Sequence, residues 1–389
     1  MEKSNAKITL ILSCSLFICL GISNSAIGPL LPELARNAHA PLESMGSVYT
    51  ALFLGSIFTQ LISGLIIDRL GQKPVLLIGI VLMVIGLGAY NFPLSFPALM
   101  AFTVLAGLGF GAVVLGNNFL IAQAFSERSV SALNLINFFF GLGAILGPAI
   151  VSLVLSHFGE ARWVIGLDTL LYLVLVPLFY RMSFPAQKQG QESLSIKRIP
   201  SLLTPLIIAL GSMVFLYVGI ETGFGGWIST YMQKTTNLTV ETASLVTSAF
   251  WLAFTIGRLL NTWLGLRLSA QRILLMNLTL AVLGSVIFTA GIGNQWISIL
   301  GTLLIGLAFG PIYPTLIAVS SQANLKNPGQ TVSIVSALGG AGGMLIPLFQ
   351  GYLIFLFGPI SNALLAVIVI LIILLLMINT RKNIAPVNS

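Results

Sequence analysis

The sequence predicts an all-α membrane protein with twelve transmembrane helices in two pseudo-symmetric six-helix bundles. Three observations predict it. Charged residues make up only 7% of the 389 and hydrophobic residues 57%, where an ordinary soluble domain is about a quarter charged. Apolar runs of about 20 residues recur along the chain, each long enough to cross a hydrocarbon core of about 30 Å. A polar stretch near the middle divides those runs into two sets of six.

Turn residues and charges delimit the spans at roughly 8–31, 45–67, 74–91, 97–123, 130–156, 162–181, 202–230, 241–264, 272–292, 296–321, 330–357 and 359–379. No segment remains for a separate soluble domain. The first run follows Lys3 and Lys7 and imitates a signal peptide, but it continues too far and other spans follow it. It reads as a retained helix. Cys14 and Cys19 lie inside it and point to neither a disulfide framework nor a metal site.

An even number of spans puts both termini on one side, and the basic residues choose that side. Lys3, Lys7, Arg69, Lys73, Arg128, Arg181, Lys188, Lys197, Arg198, Arg267, Arg272, Lys326, Arg381 and Lys382 share it, against Arg36, Arg162 and Lys234 opposite. The positive-inside rule makes the termini cytoplasmic in a plasma (inner) membrane. The net charge of +8 is then a topology signal. A nucleic-acid partner has no basic domain to bind.

The middle stretch, "SFPAQKQGQESLSIKRIPS", is expected to be a cytoplasmic linker over 182–200, between bundles at 1–181 and 201–389. The halves repeat. At an offset of 198, Gly21 falls on Gly219, Gly28 on Gly226 and Arg69 on Arg267; at 199, Gly107, Gly111 and Pro148 fall on Gly306, Gly310 and Pro347. Parallel six-helix repeats are a transporter architecture.

Between spans two and three stands "GLIIDRLGQK". Gly64, Asp68, Arg69, Gly71 and Lys73 match the loop motif G-x-x-x-D-R-x-G-x-[RK], so the chain resembles the major facilitator superfamily. Gly64 permits close helix approach and Gly71 a tight turn. Asp68 suits a helix N-terminus, where negative charge is favoured. The resemblance implies that it meets the start of span eleven, after "KNPGQT", and stabilises one transport state. The second-half counterpart "TWLGLRLS" has Leu266 in place of the acid, so this gating motif is one-sided.

Further stretches resemble the sugar-symporter branch, which includes the fucose permeases and the sodium-dependent glucose transporter-like proteins. They are "LNLINFFFGLGAILGP", "YVGIETGFGGWISTY", "FWLAFTIGRLL", "GLAFGPIYPT" and "GGAGGMLIP", in spans five, seven, eight, ten and eleven. Fucose permeases carry acids in spans one and four. Here span one offers Asn24, and span four offers Val114, Asn117 and Asn118. Relatives often have a His in span five where Asn137 stands. The resemblance implies that coupling, if present, uses other groups.

Glu221 is the best-placed of these. It lies in span seven, roughly 6–9 Å outward of the middle. An ionisable group at that depth costs about 2.5–3.5 kcal/mol, so it must face the bundle interior or water. Its repeat partner is Ser23. Tyr217 and Phe224 flank it on one helix face. Three functional roles are open: carrying a proton, ligating Na⁺, or accepting hydrogen bonds from solute hydroxyls. A neutral Glu bonded to a neighbouring helix is the plainer alternative. Arg258 in span eight pairs with Gln60 in the repeat. It is expected about 15 Å from Glu221 in height, too far for a direct ion pair, with snorkelling to the inner interface as its plainer role. Asp168, near the outer end of a peripheral span six, is expected to be structural.

Asn134 and Asn137 share a face of span five, and Asn117 and Asn118 face across from span four. Trp227, Tyr231, Trp251 and Tyr313 supply flat surfaces with polar tips. Amides that donate and accept, with rings that cover C–H faces, suit a hydroxylated ligand. The expected substrate-binding set is Asn24, Asn117, Asn118, Asn134, Asn137, Glu221, Trp227, Trp251 and Tyr313, with Glu221 also coupling. The glycine run "ALGGAGGM" has no preceding strand and no following Lys-Ser/Thr, so it is no nucleotide loop. No catalytic set, cofactor motif or metal spacing appears, so no enzyme is expected. The sequence therefore predicts a monomeric secondary transporter of a small polar, sugar-like solute, coupled to H⁺ or Na⁺ and working by alternating access. A proton-coupled multidrug efflux antiporter of the same fold is the alternative. Its support is "GAILGP", which matches the core of the antiporter motif but lacks the paired glycines that follow.

Overall fold

The computed structural model describes residues 3–125, 129–184, 204–265, 267–323 and 328–380; within these, the side chains of 3–5, 61, 63–70, 129–131 and 328–330 are outside the description. The chain forms two compact units, Met1–Ser193 and Leu194–Ser389. Most of the linker expected at 182–200 lies outside the described residues.

The first unit holds α1 (Lys3–Asn37), α2 (Gly46–Leu70), α3 (Gln72–Gly88), α4 (Phe96–Ala124), α5 (Ser129–Phe158) and α6 (Arg162–Arg181). The second holds α7 (Pro205–Thr236), α8 (Val240–Leu264), α9 (Ala270–Ala290), α10 (Gln295–Phe309), α11 (Ile312–Ala323), α12 (Pro328–Phe357) and α13 (Ile360–Thr380). Among the described residues, eleven stretches are long and apolar enough to cross a membrane, with α10 and α11 counted together as one. The 25-residue α2 takes the twelfth place.

The tenth span, expected to run unbroken over 296–321, is two helices. The cause is local. An α-helical carbonyl is paired by the N–H four residues on, and proline has none. Pro311 and Pro314 therefore leave the carbonyls of Leu307 and Gly310 without intrahelical donors. The corresponding positions of α4 are Ala112 and Leu115, and α4 runs unbroken for 29 residues.

Small residues bring the helices together in matching ways. A Cβ at Gly143 of α5 would strike the Ile18 carbonyl of α1, and one at Gly342 of α12 would strike the Phe215 carbonyl of α7. Gly111 on α4 abuts the Ser56 carbonyl as Gly310 abuts that of Phe254. Without a hydrophobic drive between helices in lipid, such close backbone approach carries much of the association. The sequence repeat is thus also a repeat of contacts. Elsewhere apolar side chains are left outward, as in Leu170, Leu173 and Val174 of α6 and Leu364, Ile368 and Leu375 of α13. Those stripes have the composition of lipid-facing surface.

Polar groups satisfy the helix starts. Thr204 accepts from the Ile207 N–H (3.3 Å) at α7, and Asn294 accepts from Trp296 and Ile297 (3.1 and 3.3 Å) at α10. The Glu33 carboxylate of α1 accepts from the Ala161 and Arg162 N–H groups (2.6 and 3.2 Å). A negative charge is favoured at such an N-terminus, so Glu33 ties α1 to the beginning of α6.

Candidate functional site

Each unit gathers polar side chains around one carboxyl group inside its spans. In the second unit that group is Glu221 on α7. The side chain is partly buried. Tyr217 precedes it by one turn on the same helix, and Arg258 of α8 is an opposite charge that acts on it. The sequence placed Arg258 too far from Glu221 in height for a direct ion pair, and no ion pair within 4.0 Å joins them. Among the described residues that geometry is met by Arg162 and Glu160 (2.6 Å).

Arg258 is held by the broken span. Its Nε donates to the Gly310 carbonyl at 3.0 Å, which is the carbonyl that Pro314 orphans. Its guanidinium lies over the Phe254 ring, 4.6 Å from the centroid. Tyr217, fully buried, donates its hydroxyl proton to the Phe309 carbonyl at 2.6 Å. One tyrosine and one arginine therefore cap two carbonyls at the interruption, and both stand beside Glu221. Tyr313, on the first turn of α11, reaches the Ser336 hydroxyl of α12 at 3.5 Å.

Aromatic rings pack below this group. Phe224 contacts Phe250, Phe288 and Phe309, with centroids 5.0–6.4 Å apart. Trp251 meets Phe250 and Phe254 edge-on, and its buried indole N–H has no hydrogen-bond acceptor. Trp227 is wholly buried and its indole N–H points at the Pro347 carbonyl, 3.4 Å away. The Thr230 hydroxyl is also buried without a partner.

In the first unit the carboxyl is Asp168 of α6. It is 1% exposed. It was expected on a peripheral helix in a plain structural role. α6 does turn an apolar face outward, but Asp168 points the other way, into α1. Cys19, Ser23 and Tyr172 surround it. The Ser23 hydroxyl spends its proton on the Cys19 carbonyl (2.9 Å) and lies 3.2 Å from the Tyr172 hydroxyl. Neither Asp168 oxygen is left with a well-aligned hydrogen bond. The sequence did carry a signal. Tyr172 follows Asp168 by one helical turn, and Ser23 is the repeat partner of Glu221.

The expected asparagines divide. Asn117 is fully buried and its Oδ1 accepts from Ser13 of α1 at 2.7 Å, while its Nδ2 and the Oδ1 of Asn118 are buried without partners. Asn24 is partly buried; Asn134 and Asn137 are exposed, and the Asn137 amide donates back to the Leu133 carbonyl at 2.9 Å. The motif residues Gly64, Asp68 and Arg69 fall in the part of α2 whose side chains lie outside the description. Gly71 has φ 84° at the junction of α2 and α3, a conformation that favours glycine. Lys73 donates to the Met182 carbonyl at the end of α6 (3.2 Å).

Comparison with known proteins agrees with this architecture. A model of the Major Facilitator Superfamily matches residues 13–322 and 210–388. The protein TsgA homolog of Buchnera aphidicola is 23% identical over 370 residues, covering 92% of this chain and 93% of that protein. The sodium-dependent glucose transporter 1 of Xenopus laevis is 23% identical over 358 residues, covering 85% and 72%. Among solved structures, a variant of the nucleoside transporter NupG has a TM-score of 0.81 at 15% identity, covering 96% of this chain and 99% of that one. A variant of the E. coli fucose:proton symporter has a TM-score of 0.66 at 19% identity, covering 96% and 99%.

Proposed function

This chain belongs to the Major Facilitator Superfamily, and on that premise we propose that it carries a small polar, sugar-like solute by alternating access, coupled to H⁺ or Na⁺. One observation carries the reading. A carboxyl group in the middle of α7 stands beside a span broken at Phe309–Pro311, with Tyr217 and Arg258 bridging the two. Ionisable groups inside the membrane mark solute and ion pathways, and discontinuous helices mark transporter binding sites. Buried polar atoms without partners, on Asn117, Asn118, Thr230 and Trp251, are groups that a hydroxylated solute would satisfy. A purely lipophilic solute would leave them unpaired. The names of the glucose transporter and of the fucose and nucleoside carriers point to solutes of the same chemistry. The basic residues on the side of the termini support cytoplasmic ends in a plasma membrane, and each unit builds its polar cluster from its own helices, so a monomer is a sufficient working form.

The test has two stages. Purified protein is screened for thermal stabilisation by sugars, polyols, nucleosides, organic acids and lipophilic cations. Hits are then followed as labelled solutes entering proteoliposomes under an imposed H⁺ or Na⁺ gradient. Stabilisation by one family of hydroxylated compounds, with concentrative uptake under one gradient, is the expected result. Stabilisation by lipophilic cations alone would overturn it.

A further inference from the structure

We propose that Asp168, with Cys19, Ser23 and Tyr172, forms a reversible proton-binding site in the first unit, separate from Glu221. The argument begins with burial. An ionised carboxylate taken out of water without a counter-charge is very costly, and such a group neutralises instead. Asp168 is 1% exposed and its oxygens accept no well-aligned hydrogen bond.

The surrounding charges do not compensate it. On α6, Arg162 is one and a half turns away and paired with Glu160, and Tyr172 is neutral. From α1 come Cys14 and Cys19, both buried free thiols, and Glu33, which caps the start of α6. From α3 there is Lys73, bonded at the far end of α6, and after it Tyr90, bonded to Thr103. From α5 there is His157, exposed and bonded to the Leu153 carbonyl. Among the described residues no cation is bonded to Asp168, and a proton is what would neutralise it.

A metal ion fits worse. A hard cation wants several oxygens converging on one point. Here the Ser23 and Tyr172 hydroxyls lie against each other, and the remaining neighbour is a thiol, a soft ligand. The proton also has somewhere to go. Asp168 sits at the contact between α1 and α6, and any parting of those helices wets it. Loading when the helices close and release when they open needs no other reagent.

The test reads the proton directly, in purified full-length protein without any solute, so its outcome is independent of what the protein carries. Infrared difference spectra follow the C=O band of protonated carboxyl groups in a Glu221→Gln background, which removes the carboxyl in the middle of α7. We expect a band at neutral pH that bleaches reversibly as the pH rises. Adding Asp168→Asn should abolish it, and Ser23→Ala should shift its frequency. A band that is absent, or that survives Asp168→Asn, overturns the proposal. So does a band that never bleaches while circular dichroism still reports the helices, because the acid would then be permanently neutral. Displacement of the band by Na⁺ at constant pH would also overturn it, by making the site a sodium site. The bleaching measurement needs no Asp168 variant, so misfolding of that variant cannot hide the answer.

Discussion

At aligned positions the two units solve one problem differently. Tyr217 and Glu221 on α7 correspond, at an offset of 198, to Cys19 and Ser23 on α1. In the second unit this pair supplies its own carboxyl and is balanced by Arg258, drawn from α8. In the first unit the pair supplies none, and the carboxyl comes from α6 with no balancing cation. Arg258 corresponds to Gln60, whose amide bonds Ser56 at 2.8 Å instead of reaching α4. At the offset of 199 that aligns α5 with α12, Asp168 corresponds to Val367, an apolar side chain. The repeat fixes backbone contacts glycine by glycine and leaves the polar chemistry free to diverge. A buried charge is thus attached to a unit by its neighbours, and symmetry does not place it.

The largest expected effect falls on Glu221. Glu221→Gln keeps the shape and removes the ionisable group. If coupling lives in the second unit, gradient-driven accumulation should fall to simple equilibration while exchange of labelled for unlabelled solute continues. Proteoliposomes measured under an imposed gradient decide it, and undiminished accumulation would leave Glu221 a structural acid.

The next contrast is the broken span against its unbroken counterpart. Ala112→Pro would give α4 the interruption that Pro311 gives the second unit. Among the described residues no tyrosine or arginine bonds the Leu108 carbonyl that this would free, and the Tyr90 hydroxyl is engaged with Thr103, so the change should cost about 3 kcal/mol. Thermal unfolding of the detergent-solubilised protein measures it. A variant as stable as the parent would show that the first unit also tolerates a broken span.

Arg258→Met tests the opposite side and should cost about 2 kcal/mol, because the Gly310 carbonyl loses a charged donor. The cause can be isolated. Pro314→Ala restores the N–H that would pair the Gly310 carbonyl within the helix. In that background Arg258→Met should cost clearly less, a coupling that a double-mutant cycle in thermal unfolding measures. An equal cost in both backgrounds would mean that Arg258 acts chiefly through Glu221 or Phe254.

Much of this was legible in the sequence, and the reasons are physical. Span length and charge exclusion follow from the thickness of a membrane, so the helices could be counted. The glycine repeat was legible because backbone contact tolerates little else at those positions. The break at Gly310 was missed although both prolines stood in view, since an apolar count over 296–321 is blind to missing N–H groups. That Asp168 turns into α1 was not legible, because one residue's rotation about a helix is not written in the helix's composition. The bond from Arg258 to the Gly310 carbonyl was not legible, because heights along straight spans ignore a side chain that reaches into a broken neighbour.

The smallest effect separates the asparagines. Asn117 is buried and bonded to Ser13, so removing it would disturb packing whether or not it meets solute. Asn137 is exposed, and one of its two amide N–H groups is already spent on the Leu133 carbonyl. What it has left to offer a solute is its Oδ1 acceptor and its second N–H. Asn137→Ala should therefore weaken solute binding by about 1 kcal/mol, the worth of one neutral hydrogen bond, and leave the melting temperature unchanged. Asn137→Asp keeps an acceptor at that position and removes both N–H donors, so it should retain binding only where the solute donates its hydroxyls to this residue. Titration calorimetry with the stabilising solute reads both variants. Equal affinity for the parent and Asn137→Ala would remove this face of α5 from the binding site and leave the first unit's contribution to Asn117 and Asn118.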